Sequence, residues 1–227
     1  MLYFSEVDSR GHELGPEAPE VDSAIIAMDA VLGRLLDGIQ ETPVAEAVNV
    51  VVVSDHGMAH VPAENVVFLD DYADLEGVRV VYNSTQALLY FDGDETRLFD
   101  IYETLRDRLE HATVHFPEEL PARWHYGESR RVGELVVVGD EGWMVASREG
   151  RPWNGGGMHG WDPAQPAMHG IFLAAGPSVR PGPQLEAFEN VHVYPFAAAL
   201  AGLEPAPGID GDLAVLAEHL RAPVPAH

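Results

Sequence analysis

Asn49-Val50-Val51-Val52-Val53-Ser54-Asp55-His56-Gly57-Met58 joins a run of four β-branched residues to an Asp-His-Gly turn. A short, continuous β-branched run is the pattern of a strand buried on both faces, as in a parallel sheet. Working upstream, Val21, Ile25, Met28, Leu32, Leu35, Leu36 and Ile39 recur at helical spacing between Pro19 and Ile39, with Gly38 near the stop. Leu2 to Val7 reads as a short buried strand that delivers Asp8 into a loop containing Arg10, Gly11 and His12. Strand, helix and strand imply a βαβ unit, and with it an α/β class of fold.

Downstream, Ala87 to Phe91 reads as a strand, Asp94 to His111 as a helix and Glu134 to Val138 as another strand, with a Pro-flanked loop at Glu118-Glu119-Leu120-Pro121. This region, about 61–150, has the character of an α+β insertion. Gly150 to Gly160 is glycine-rich and carries Asn154 and His159. An apolar strand from Ala167 to Ala175 closes at Gly176-Pro177. Asn190 to Ala201 has a helical pattern, Pro205 to Asp212 is rich in turn residues, and Leu213 to Leu220 reads as a last helix. There are no internal repeats or low-complexity tracts.

The chain has 227 residues and 46% hydrophobic content, enough for one sizeable domain with a buried core. Its formal charge of −24 sets 37 acidic residues against 13 basic ones, every one of them Arg. Such a surface repels nucleic-acid backbones, so duplex binding is not expected, and phosphate chemistry has to act through bound cations that reverse the local field. The plain reading of the excess acid is a solvated surface; a salt-rich habitat is the alternative. The absence of cysteine excludes disulfides, thiolate zinc sites and thiol nucleophiles. No apolar run reaches membrane-spanning length, and the opening residues lack the basic and apolar regions of a signal peptide.

Three polar clusters carry the chemistry: Asp8 with His12, Asp55 with His56, and His159 in Gly157-Met158-His159-Gly160. Imidazole and carboxylate suit zinc and similar divalent ions, and a catalytic site takes about three protein ligands while leaving a position open. Five ligands suit a pair of metals roughly 3.5–4 Å apart, which can hold both the attacking and the leaving oxygen of an in-line displacement at phosphorus. Open α/β sheets bind ligands beyond the carboxyl ends of their strands, where Asp8 and Asp55 are both expected. Each cluster alone has an ordinary reading too: Asp-x-x-x-His as an ion pair or cap, Asp-His-Gly as a turn, and His159 as a flexible-loop histidine.

Taken jointly, Tyr3-Phe4-Ser5-Glu6-Val7-Asp8-Ser9-Arg10-Gly11-His12-Glu13-Leu14-Gly15-Pro16, Val53-Ser54-Asp55-His56-Gly57-Met58 and Gly157-Met158-His159-Gly160-Trp161-Asp162 resemble three consecutive metal-binding motifs of the nucleotide pyrophosphatase/phosphodiesterase (type I phosphodiesterase) family of the alkaline phosphatase superfamily. Similarity continues through Leu120 to Tyr126, Arg131 to Val138, Ile171 to Pro177 and Asn190 to Pro195, and so covers nearly the whole chain. The resemblance implies a three-layer α/β fold with a mainly parallel central sheet, and hydrolysis of phosphodiester or pyrophosphate bonds in small molecules such as nucleotides. It implies two zinc ions, the first held by Asp8, His12 and His159, the second by Asp55 and His56. It also implies a phospho-threonine route, with Tyr3 placed to stack on a nucleotide base; an ordinary buried strand tyrosine is the other reading.

In that family the second site's remaining Asp and the threonine nucleophile precede the Tyr3-to-Asp8 strand. The chain is therefore expected to be a single catalytic domain, residues 1–227, that is N-terminally incomplete, carries no catalytic threonine of its own and has an incomplete second zinc site. Thr42, Thr85, Thr96, Thr104 and Thr113 stand in the wrong order and in contexts that suggest packing or capping. Another alkaline phosphatase superfamily hydrolase, or a non-catalytic metal-binding remnant, are the alternative functions. Family members are often secreted, periplasmic or membrane-anchored, but no targeting segment is read here, and oligomeric state is left open. Trp161 and Pro163 depart from the Tyr and Asn more usual after the His-Gly motif, which leaves substrate preference open. His60, His111, His115, His125, His169, His192, His219 and His227 read as surface or structural residues.

Overall fold

The computed structural model describes every residue except Asn83, Arg130, Arg151, Pro183 and residues 222–227, so His227 lies outside the described residues. In chain order the elements are α1 (Glu6–Leu14), α2 (Pro19–Gln40), β1 (Val50–Val53), β2 (Ala59–Val61), β3 (Val66–Phe68), β4 (Arg79–Tyr82) and β5 (Gln86–Tyr90). Then follow α3 (Glu95–Arg108), β6 (Ala112–His115), β7 (Leu135–Gly139), β8 (Met144–Ala146), β9 (Gly156–Met158), β10 (Phe172–Ala175) and α4 (Val193–Leu200). They divide into two compact units, Met1–Met28 with His56–His169, and Asp29–Asp55 with Gly170–His227.

The first unit is built on a four-stranded antiparallel sheet in the order β4-β5-β7-β6. Strand β7 is buried along its whole length because both sheet faces are covered. Leu135 and Val137 join Leu89, Ile101 and Leu105 in the main core, whereas Val136 and Val138 pack with Leu88 and Leu120 on the other side. Helix α3 starts where Asp94 Oδ1 accepts the Arg97 N–H at 3.1 Å, and ends with Arg106 and Arg108 in its last turn. Ile101 and Leu105, four residues apart, form its buried stripe. These elements fall in the 61–150 region and match the helix and strands expected there.

The short ladder β2–β9 places the site. It is antiparallel, with Ala59 opposite Met158, His60 opposite Gly157 and Val61 opposite Gly156. His56 before β2 and His159 after β9 therefore emerge at the same end. Helix α1 packs on β9, whose two glycines present no side chain to it. A methyl group built on Gly156 or Gly157 would overlap the His12 or Gly11 carbonyl oxygen.

The segment Leu2 to Val7 is not the buried strand expected. Met1 to Phe4 are exposed, with Tyr3 at 76%, and α1 begins at Glu6, so Asp8 stands on a helix rather than in a loop after a strand. A short apolar run fixes no period, whereas Glu6 and Asp8 favour a helix N-terminus and Glu6–Arg10 and Arg10–Glu13 pair at helical spacing.

In the second unit β1 pairs with β10, antiparallel, with Val50 opposite Ala175 and Val53 opposite Phe172. Val51, Phe172 and Ala174 pack on a core of Val179, Phe196 and Leu216. Among the described residues the parallel ladder is β3 with β8, and the other pairings are antiparallel. The described strands are thus mixed and not mainly parallel, and β1 is not the strand buried on both faces that was expected, since Val50 to Val52 are half-buried and Val53 is exposed: a β-branched run signals a strand, but neither its burial nor the direction of its neighbour. Leu213 to Leu220 forms two 3-10 turns in place of the expected helix. Among the described residues, no helix is long and apolar enough to cross a membrane.

One ion pair of the first unit ties the turn at Ala122–Trp124 to the loop that follows His159. Arg123 donates to both oxygens of Asp162, through Nε at 3.1 Å and through Nη2, and the Ala164 N–H adds 2.9 Å to Oδ1. The Arg123 guanidinium, against partial desolvation and with help from the Ala164 N–H, holds the Asp162 carboxyl below its usual 3.8. A carboxyl depressed on folding stabilises fully above its unfolded pKa and loses that contribution as pH falls through the folded value. Thermal melts of the protein and of Asp162→Asn, taken from about pH 6 down to about pH 2, are expected to differ by a constant offset above about pH 4 and to converge below it.

Candidate metal centre

Asp8 and His12 stand one turn apart on α1, so they share a face. Asp8 Oδ1 lies 3.4 Å from His12 Nε2 and 3.8 Å from His159 Nε2, and the two Nε2 atoms are 3.2 Å apart. The His56 ring stacks on that of His159 with centroids 3.4 Å apart and planes 16° from parallel. One ligand atom each from Asp8, His56 and His159 lies within 4.8 Å of the others. Asp8, His12, His56 and His159 thus converge from a helix and from two strand ends that are distant in sequence.

Two ligand atoms bound about 2.1 Å from a tetrahedral ion stand about 3.4 Å apart, which is the spacing found among Asp8, His12 and His159. Backbone carbonyls fix two of the imidazoles: His12 Nδ1 donates to Gly157 O at 2.8 Å and His56 Nδ1 to Gly57 O at 2.8 Å. A carbonyl only accepts, so in each neutral ring Nδ1 carries the proton and Nε2 offers a lone pair. Holding the far ring nitrogen in this way is the usual support for a metal-bound histidine. Asp8 Oδ1 is buried and accepts no hydrogen bond. A carboxylate oxygen facing imidazole lone pairs needs positive charge between them, and a divalent cation satisfies all of these atoms at once. The side chains of Asp8, His12 and His159 remain 35%, 34% and 29% exposed, so the centre opens to solvent on one side.

Asp55 belongs to the second unit, where it is exposed and its backbone carbonyl accepts from Asn190 Nδ2 at 3.2 Å. Its peptide neighbour His56 belongs to the first, close to Asp8 and His159. The Tyr3 ring is exposed ahead of α1, which rules out the buried-strand role.

Several supporting residues carry no signal that sequence reading picks out. Thr85, 1% exposed, donates through Oγ1 to the His159 carbonyl at 3.2 Å. Trp161, 5% exposed, donates its indole N–H to Trp143 O at 3.1 Å, so this departure from the usual Tyr anchors the His159 loop. Gly57 donates to Met168 O at 2.9 Å, and any Cβ there would overlap the Ala167 and His169 carbonyls. His111 stacks on Trp143 at 3.8 Å, a structural role that agrees with expectation.

A family model described as type I phosphodiesterase/nucleotide pyrophosphatase matches residues 1–162. Mouse ectonucleotide pyrophosphatase/phosphodiesterase family member 1 is 33% identical over 236 residues, covering 100% of this chain and 26% of its own length. The solved structure of human ectonucleotide pyrophosphatase/phosphodiesterase 5 superposes with a TM-score of 0.87 at 30% identity, over 97% of this chain and 58% of that one. An inactive variant of the murine protein 5, in complex with AMP, superposes at 0.86 with 33% identity. The chain spans about a quarter to about half the length of the curated relatives it matches. With most of its sequence matched by one family and nearly all of its fold shared with solved members, the chain belongs to the type I phosphodiesterase/nucleotide pyrophosphatase family of the alkaline phosphatase superfamily.

Proposed function

We propose that this chain is the metal-binding part of a two-zinc enzyme that hydrolyses phosphodiester or pyrophosphate bonds in nucleotides. The observation that carries this reading is the meeting of Asp8, His12, His56 and His159 around an orphaned carboxylate oxygen, in a chain that belongs to a phosphodiesterase family. Asp8, His12 and His159 hold the first zinc. Asp55 and His56 contribute to the second, which a further Asp outside this chain completes. When bound, such a pair polarises the phosphoryl oxygens and lowers the pKa of the attacking oxygen.

The chain's own part is to hold this constellation open and rigid. Nδ1–H bonds to Gly157 and Gly57 keep two lone pairs aimed inward, and the helix pitch keeps Asp8 and His12 together. The nucleophile comes from outside the chain. Thr85 is buried and engaged with His159, while Thr42 and Thr104 bond to backbone carbonyls of their own segments. The acidic surface favours small nucleotides over nucleic acid, and the AMP complex of the murine relative supports that class. Tyr3, Phe4, Ile25 and Ile26 in the first unit, and Val53, Ile171 and Leu173 in the second, are exposed apolar side chains that favour association.

Titration of the metal-free protein with Zn²⁺ is expected to show one tight site, with a second at least about 10-fold weaker. His159→Ala should weaken the tight site more than roughly 100-fold, beyond the usual effect of residues that only support a ligand. Two equally tight sites would mean the ligands are partitioned differently. In sedimentation the isolated chain should associate through its exposed apolar side chains; a compact monomer at all concentrations contradicts that expectation. Completed with the remaining Asp and Thr, the protein should cleave a nucleoside 5′-monophosphate p-nitrophenyl ester faster than p-nitrophenyl phosphate. The reverse preference would move it to the monoesterases of the same superfamily.

A further inference from the structure

We infer that Met58 is a positioning residue for the metal centre: its thioether sets the spacing between α1 and β9, and so the reach of Asp8 and His12 towards His159 and His56. The inference rests on the metal reading above and goes one step further, to what fixes the geometry.

Gly11 is a buried residue in the middle of α1, between the two ligands of that helix. A Cβ built on it would overlap Met58 Sδ and come within 3.0 Å of Met58 Cε, with nothing but this one side chain within 4 Å. A Cβ on Gly157, in β9, would meet the same sulfur at 2.5 Å, together with the Gly11 backbone. The sulfur therefore lies in a gap walled by one glycine from each of two facing elements. Met58 itself follows His56 by two residues and leads into β2, whose Ala59 pairs with Met158. One side chain thus bears on all three segments that supply ligands.

Nothing in the helix asks for glycine at position 11. Its φ is not in the left-handed region, and helix propensity favours alanine over glycine at an interior position. The space is held by Met58 Sδ and Cε, the end of a flexible side chain whose sulfur Gly157 bounds on the far side, so a new methyl group crowds it towards β9. A methyl at position 11 therefore pushes α1 off β9. That shift lengthens the 3.2 Å and 3.8 Å separations from His159 Nε2 to His12 and Asp8, while the cores around β7 stay as they are.

The test is Zn²⁺ affinity, measured by competition with a chromogenic chelator, on the parent, Gly11→Ala, Met58→Ala and the double variant. The visible spectrum of the Co²⁺-loaded forms and the melting of the metal-free forms accompany it. Gly33→Ala on α2 serves as control, since a Cβ there meets nothing within 4 Å. Gly11→Ala is expected to weaken Zn²⁺ about 10- to 100-fold, the range for residues that support ligands, and to reduce the Co²⁺ band, with metal-free melting no lower than the parent's. Gly33→Ala should bind as the parent does. Gly11→Ala/Met58→Ala should recover much of the loss, because the methyl then has room. A double variant as weak as Gly11→Ala alone overturns the inference, as does a Gly11→Ala protein that binds like the parent. Should Met58→Ala not fold, the contrast between Gly11→Ala and Gly33→Ala still decides. A parent that takes up no Zn²⁺ overturns the metal centre and this inference together.

Discussion

The close approach of helix α1 to the glycine ribbon of β9 is the constraint on which the candidate centre depends. Asp8 and His12 ride on the helix and His159 leaves the end of the ribbon, so the gap between these two elements fixes the distances among three ligand atoms. Side chains on β9 would widen it by the thickness of a methyl or more. With glycine at 156 and 157, the His12 imidazole reaches a backbone carbonyl of the ribbon, and the same bond fixes its tautomer. Packing and ligand chemistry are here one interaction.

Electrostatics explains why such a close arrangement is compatible with an acidic chain. A buried carboxylate oxygen that accepts no hydrogen bond, as Asp8 Oδ1 is, is costly, and in a protein of net charge −24 the surrounding field adds to that cost. A bound cation inverts the local field and turns the same carboxylate from a liability into a ligand. The nearby cation on α1, Arg10, is already engaged with Glu6 and Glu13, which leaves the interior of the site to the metal.

Much of this was legible in the sequence, though not for every reason first available. Asp8, His12, His56 and His159 stand out as metal-ligand types, and the structure brings them together. The placement expected for Asp8, after a strand, fails because a short apolar run at Leu2 to Val7 has no definite period, while the i,i+4 spacing of Asp8 and His12 was itself a helix signal. Val50 to Val53 announces a strand correctly but neither its burial, which is partial, nor the direction of β10, since pairing depends on a segment more than a hundred residues away. Thr85 and Met58 are ordinary residues whose importance lies in a carbonyl or a glycine that only the fold brings near.

The α+β region is more than an appendage in the middle of the chain. Three of its contacts converge on the few residues around His159: Thr85 donates to the His159 carbonyl, Trp161 reaches the Trp143 carbonyl, and Arg123 grips Asp162. Thr85 leads into β5 and Trp143 into β8, so the antiparallel sheet and its neighbouring ladder act through these bonds on the histidine loop. A loop histidine loses rotamer and backbone freedom when it binds a metal, and that entropy weakens binding unless the loop is already ordered. Anchoring at and just after His159 by these bonds, and before it by the β2–β9 ladder, reduces that loss before a cation arrives. The large core beneath β7 thereby stiffens the loop that follows β9, which would favour a cation at the candidate centre.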